Sequence, residues 1–233
     1  MKLIVSGATG FVAEEVIRQS LSISEITSVI ALARKPISAP ERLAEGADLS
    51  KLRSVVVKDY DHYPEEVRKE FAGASACIWT VAITPSKSKM YNFEEVKRVC
   101  QTCTLSGFNA IHESGVSTPF RFLYMSGAAT ERDQTKTPRF QPQYSLMRGE
   151  TENKVLALAS GLDGVEACVA KPGFITAPGE IMKSIAGTMI QLIVGIPSIS
   201  VVDLAKAMLD QVVNGFEKEP LMPEDLARIA KKA

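Results

Sequence analysis

Met1-Lys2-Leu3-Ile4-Val5-Ser6-Gly7-Ala8-Thr9-Gly10-Phe11-Val12-Ala13 is the stretch whose reading decides the fold. Leu3, Ile4 and Val5 form a short aliphatic run of the kind found in a strand buried on both faces. Phe11, Val12, Val16, Ile17 and Leu21 then recur at the spacing of a helix laid on a sheet. The turn between them is rich in glycine. Gly7 lets the chain leave the strand sharply, and Gly10 lets backbone approach a phosphate facing the free N–H groups of the helix start. Ala13 is small enough for close helix-to-strand packing. The Gly-x-x-Gly-x-x-Ala spacing is one glycine short of the usual dinucleotide fingerprint, so the turn reads either as a nucleotide-binding loop or as a plain tight turn.

Composition bounds what surrounds that turn. With 233 residues, 45% of them apolar, the chain can bury a full core as one folding unit. Residues 1 to 165 are expected to hold the nucleotide-binding core and residues 170 to 233 a substrate-side cap. Lysine and arginine together number 27, as do aspartate and glutamate, so no charge imbalance points to a nucleic-acid or membrane partner. Cys100-x-x-Cys103 has no second pair, and His62 and His112 lie far apart. Buried thiols are therefore expected, rather than a metal site or a histidine-centred nucleophile. The apolar segment near Ile190 is interrupted by Gln191 and closes at Pro197, short of a membrane span. With no signal-peptide pattern at the start, a soluble cytoplasmic protein is the expectation, with a nuclear location left open.

Alternation of strand and helix patterns predicts an α/β fold with a parallel sheet. The second strand is read as Ser28 to Ala33, ending at Arg34-Lys35-Pro36. In dinucleotide folds this strand end meets the adenosine ribose. An acidic residue there suits NAD, whereas two cations suit a 2′-phosphate or form an ordinary basic loop. A short helix is expected around Glu41 to Ala44 and a third strand over Arg53 to Val57. Beyond it, Asp59 could meet the adenine amino group with Tyr60 along the base, or both could merely end the strand. Pro64 to Phe71 reads as helix, Ala74 to Trp79 as the fourth strand with Thr80 and Val81 at the cleft, and Phe93 to His112 as helix.

The fifth strand, Phe120 to Met125, delivers Ser126 to its C-terminal end, where open parallel sheets bind ligands. Tyr144 opens a helix running through Ala159, and Arg148 follows one turn later on the same face. If that face looks toward Ser126, a phenol, a guanidinium and a hydroxyl converge, and the phenol can give a proton to a carbonyl as hydride arrives. A sixth strand, Val165 to Ala170, leads to Lys171-Pro172-Gly173-Phe174, a turn beside the nicotinamide or a domain-edge turn. Glu180 to Ile193 reads as an apolar helix. Asp203 is expected to cap a helix over Leu204 to Val213, and Glu224 to Lys232 forms the last helix.

Gly7-Ala8-Thr9-Gly10, Leu32-Ala33-Arg34-Lys35-Pro36, Asp59, Tyr144-x-x-x-Arg148-Gly149-Glu150 and Lys171-Pro172-Gly173 occur in an order that resembles the atypical short-chain dehydrogenase/reductases. The likeness is to the small NAD(P)-binding kind related to the Tat-interacting tumour suppressor and the nitrogen-metabolite-repression regulator. It implies a doubly wound Rossmann sheet with a small C-terminal cap. It further implies that Gly7, Thr9, Gly10, Phe11 and Val12 surround a pyrophosphate, that Arg34 and Lys35 select NADP, and that Ser126 and Tyr144 take the catalytic serine and tyrosine positions. Arg148 stands where the family carries lysine; it keeps the positive field, but its planar head is not an ammonium. The implied activity is NADP-dependent oxidation or reduction of a small or hydrophobic carbonyl, enone or imine. The alternatives are an NADP-binding regulator that acts on a protein partner and a non-redox isomerase or cyclase. No oligomeric state is legible.

Overall fold

The two-residue period of β1 (Lys2–Ser6) sets the layers of the molecule. Leu3 and Val5 point into one hydrophobic cluster and Ile4 into another, and all three are fully buried. The computed structural model describes residues 1–177 and 197–233. Six strands, β1, β2 (Ser28–Ala33), β3 (Leu52–Val56), β4 (Ala76–Trp79), β5 (Phe120–Met125) and β6 (Val165–Ala170), pair in parallel in the order β3-β2-β1-β4-β5-β6. Val5 lies between Ala31 and Ile78 in this register. The order reverses at β1, which places a crevice between the C-terminal ends of β1 and β4, where doubly wound sheets take their ligands.

Each face of the sheet is covered by helices, as parallel strands require. On the first face, α1 (Phe11–Ser20) contributes Val12, Val16 and Ile17 to the cluster holding Leu3 and Val5. The same cluster takes Leu204 and Met208 of α7 (Val201–Asn214) and Leu226 and Ile229 of α8 (Pro223–Lys232), from the region expected as the cap. On the second face, Val67 and Phe71 of α2 (Glu65–Phe71), Phe108 and Ile111 of α5 (Cys103–His112), and Val155 of α6 (Pro142–Ser160) cover Ile4, Trp79, Phe122 and Tyr124. Two short helices, α3 (Pro85–Ser88) and α4 (Phe93–Lys97), follow β4, and a π turn over Arg98–Thr102 joins α4 to α5. A separate two-stranded parallel pair joins β7 (Phe174–Thr176) to β8 (Ser198–Ser200). All four cysteines are buried and free. Among the described residues, no helix is long and apolar enough to cross a membrane.

β2, β5 and β6 have the predicted bounds, β3 is displaced by one residue and β4 begins two residues later. Glu41 to Ala44 forms no helix, only a bend at Glu41 and Arg42, because this mostly exposed stretch has no apolar face to bury. The helix expected over Glu180 to Ile193 lies outside the described residues. Asp203 is not the cap of α7. Ser200 takes that position, and its hydroxyl oxygen accepts the Asp203 N–H at 3.0 Å. The strand before the helix ends at Ser200, so the first free N–H groups stand nearer to it than the sequence pattern indicates. Replacing Ser200 by Ala should lower stability by about 1 kcal/mol in urea unfolding. A variant as stable as the wild type would show that this cap contributes nothing.

Candidate active site

The chain leaves β1 at Gly7 with φ +71°, a left-handed conformation that glycine adopts without strain. A Cβ at this position would stand 2.7 Å from Thr80 Oγ1. Four strand ends are tied here. The Gly7 N–H donates to Tyr60 Oη at 3.1 Å, and the Ala8 N–H donates to the Leu32 carbonyl at 3.1 Å. The Thr80 hydroxyl donates to the Ser6 carbonyl at 2.6 Å, while the Thr80 N–H donates to Ser6 Oγ at 3.2 Å. Gly10 then caps α1 without a side chain, leaving the first N–H groups of the helix for solvent or an anion. Thr9, Gly10 and Phe11 are exposed there, whereas Val12 and Val81 are buried.

Arg34 and Lys35 stand exposed just past β2, and among the described residues neither makes an ion pair or a side-chain hydrogen bond. Tyr60, for which the sequence leaves open a place along a base or a mere strand end, is buried with its ring edge-on to Trp79, 5.8 Å between centroids. Its hydroxyl also donates to the Leu32 carbonyl at 2.9 Å, so it braces the glycine turn from beneath. Both oxygens of Asp59 accept from Arg98 Nη1 at 3.0 Å. Asp59, Asp61 and Cys103 bring ligand atoms within 4.8 Å of one another, but Arg98 already holds the two carboxylates.

At the other end of the crevice, Tyr144, Arg148 and Glu152 follow one another at four-residue intervals and form one stripe of α6. Arg148 is 3% exposed. It donates to the Met125 carbonyl at 2.8 Å, to Tyr144 Oη at 3.4 Å, and lies 5.1 Å above the Tyr124 ring. The arginine thus links Tyr144 to the strand end that carries Ser126. Among the described residues it has no carboxylate partner, and its buried Nε has no hydrogen bond. The Tyr144 hydroxyl donates to the Ile83 carbonyl at 2.9 Å. Burial, partly offset by the charge of Arg148, pushes this phenol above its ordinary 10.0, so it is protonated at neutral pH.

Glu152 was not singled out from the sequence, yet it organises this end. Its side chain is fully buried. Oε1 accepts the hydroxyls of Ser126 and Thr130, each at 2.5 Å, and Oε2 accepts from Arg132 at 2.7 Å and Lys171 at 3.1 Å. Lys171 also donates to the Thr130 carbonyl at 3.1 Å. Gly149 brings the loop onto the helix, since a Cβ there would overlap the Glu131 carbonyl. The Pro172 carbonyl accepts the Ala128 N–H at 2.9 Å, joining the turns after β5 and β6, and Gly173 leads into the exposed Phe174 of β7. The four-residue spacing of Tyr144, Arg148 and Glu152 is the one sequence signal that could have flagged Glu152.

At the level of sequence, no family model and no curated protein matches the chain. Solved structures match it in fold. MoeE5 in complex with UDP-glucuronic acid and NAD aligns with a TM-score of 0.66 and 16% identity, over 94% of this chain and 74% of that one. The Thermus thermophilus UDP-glucose 4-epimerase complex with NAD gives 0.65 and 17%, over 99% and 83%. Gre2 in complex with NADPH from Candida albicans gives 0.63 and 19%, over 92% and 75%. The chain therefore has the doubly wound Rossmann-like fold. At these identities the likeness extends to the fold alone.

Burial alone would raise the Glu152 carboxyl; Lys171, with the hydrogen bonds from Ser126, Thr130 and Arg132, outweighs it and holds the group below the ordinary 4.5. A depressed carboxylate stabilises the fold fully above its unfolded value and loses that contribution as pH falls through the folded one. Glu152→Gln should thus be less stable than wild type at neutral pH by about 3 kcal/mol, because Lys171 loses its buried counter-charge. The gap should narrow below about pH 4. Equal unfolding midpoints at pH 7 would rule this out.

Proposed function

We propose that the protein is an NADP(H)-binding oxidoreductase of the atypical short-chain dehydrogenase/reductase type, acting on a small or hydrophobic carbonyl, enone or imine. The observation that carries this reading is the pair Arg34 and Lys35, free of counter-ions among the described residues at the end of β2, near a helix start that no side chain caps. The residues suit such a ligand. The missing Cβ at Gly7 keeps the turn tight against Thr80, and free N–H groups with two cations favour phosphate at both the pyrophosphate and the 2′ position.

In this reading Gly7, Thr9, Gly10, Phe11 and Val12 surround the pyrophosphate, Arg34 and Lys35 take the 2′-phosphate, and Asp59 borders the adenine. Tyr60 contributes through the turn that it braces. Thr80, Val81, Pro172, Gly173 and Phe174 border the remainder of the cleft. Bound there, the dinucleotide supplies hydride to the substrate carbon. Tyr144 gives its proton to the substrate oxygen or nitrogen, and Arg148, 3.4 Å from the phenol and without a carboxylate of its own, steadies the phenolate left behind. Ser126 can turn its proton from Glu152 to the substrate, because Thr130, Arg132 and Lys171 still serve that carboxylate.

One observation favours a second reading. Both candidate hydroxyls are engaged by the chain itself, Tyr144 with the Ile83 carbonyl and Ser126 with Glu152, as suits a regulator whose NADP occupancy governs a protein contact. NADPH oxidation across a panel of carbonyls, enones and imines separates the two. Tyr144→Phe should cut turnover by about a hundredfold or more while NADPH affinity changes little. Unchanged turnover in that variant removes Tyr144 as proton donor, and calorimetry finding no affinity for NADPH or NADP sinks both readings.

A further inference from the structure

Arg98, which opens the π turn after α4, pairs with three carboxylates near the ends of β2 and β3. Its Nη1 meets both oxygens of Asp59 at 3.0 Å and Asp61 Oδ2 at 2.8 Å. Its Nε and Nη2 meet the two oxygens of Glu95 at 2.8 and 3.0 Å. These hydrogen bonds hold the Glu95 carboxyl below its ordinary value, and the field of Arg34 reaches the same carboxyl. The field of Arg34 also reaches the Tyr60 phenol beneath the glycine turn. The Ala33 carbonyl accepts the Val57 N–H at 2.9 Å, so Arg34 and Asp59 leave neighbouring strands at the same edge of the sheet, yet Arg34 pairs with no carboxylate among the described residues.

We infer that Arg98 is a positioning residue for cofactor choice: by holding Asp59, Asp61 and Glu95 on one guanidinium, it keeps Arg34 free for a 2′-phosphate. The inference rests on the proposed dinucleotide reading. Without Arg98, those carboxylates gain freedom to pair with Arg34 and to repel a phosphate dianion. A nucleotide lacking the 2′-phosphate is less affected, because its pyrophosphate sits at the α1 turn and charges beyond about 8 Å are largely screened at physiological salt. The fork of arginine is needed, since an ammonium cannot hold Glu95 through two parallel N–H groups while also reaching Asp59 and Asp61.

Calorimetric titration of NADPH and NADH into the full chain tests this. Arg98→Gln should weaken NADPH about five- to tenfold more than it weakens NADH, the size expected when one or two half-exposed ion pairs are redirected. Adding Glu95→Gln to Arg98→Gln should restore part of the loss. In an Arg34→Gln background, Arg98→Gln should have no further effect on NADPH, the coupling expected of one shared path. Arg98→Lys, which keeps the charge and disturbs folding less, should fall between wild type and Arg98→Gln. If wild type binds NADPH but Arg98→Gln weakens both nucleotides equally, or neither, Arg98 is merely structural and the inference fails alone. If wild type binds neither nucleotide, the dinucleotide reading fails and takes the inference with it.

Discussion

The hydroxyl of Tyr60 is the atom on which the crevice is built. It accepts from Gly7 and donates to the Leu32 carbonyl, tying the ends of β1 and β2 to the chain that follows β3. Burial pushes this phenol up to about 12, so it remains a donor at any physiological pH. Thr80 supplies the matching tie on the β4 side through both its hydroxyl and its N–H. Glycine is required at position 7 for two reasons together, the positive φ of the turn and the threonine oxygen that occupies the space of a Cβ. A turn fixed at this many points is pre-organised, so a ligand that meets it does not have to order it.

Two ionic arrangements stand at opposite ends of this crevice and share one logic. Past the ends of β2 and β3, a cation, Arg98, is served by three carboxylates. Beside the end of β5, an anion, Glu152, is served by two hydroxyls and two cations. Each arrangement leaves a neighbouring guanidinium without a carboxylate among the described residues: Arg34 in the first case and Arg148 in the second. The two differ in environment. Arg98 and its partners are partly exposed and contribute little to stability, whereas Glu152 is fully buried and would be costly without its donors. Arg148 is buried too, and its remaining partners are a carbonyl, a phenol and an aromatic face.

Much of the sheet was legible because strand patterns are local. Phe120 to Met125 and Val165 to Ala170 are aliphatic or aromatic runs bounded by turn residues, and their bounds in the structure match. The stripe of Tyr144 and Arg148 was legible for the same reason, as helical spacing puts residues four apart on one face. Asp203 misled because a helix start can be read one turn late when the preceding strand is only three residues long. Tyr60 gave no sign of its inward course. The same residue type at a strand end can lie on a base or in the core, and only the packing of Trp79 decides.

By itself the sequence determined the strand–turn–helix opening, the parallel layering and the cations past the second strand, since each depends on residues within one element and on the fixed periods of strand and helix. Tertiary structure alone decided which charges are paired. Arg98 meets Asp59 across 39 positions of chain, and Ser126 meets Glu152 across 26, and no local pattern encodes such encounters. They follow from strand order and from how far each helix is rotated on the sheet. Those two quantities are set by the filling of the whole core, in which every buried side chain takes part at once.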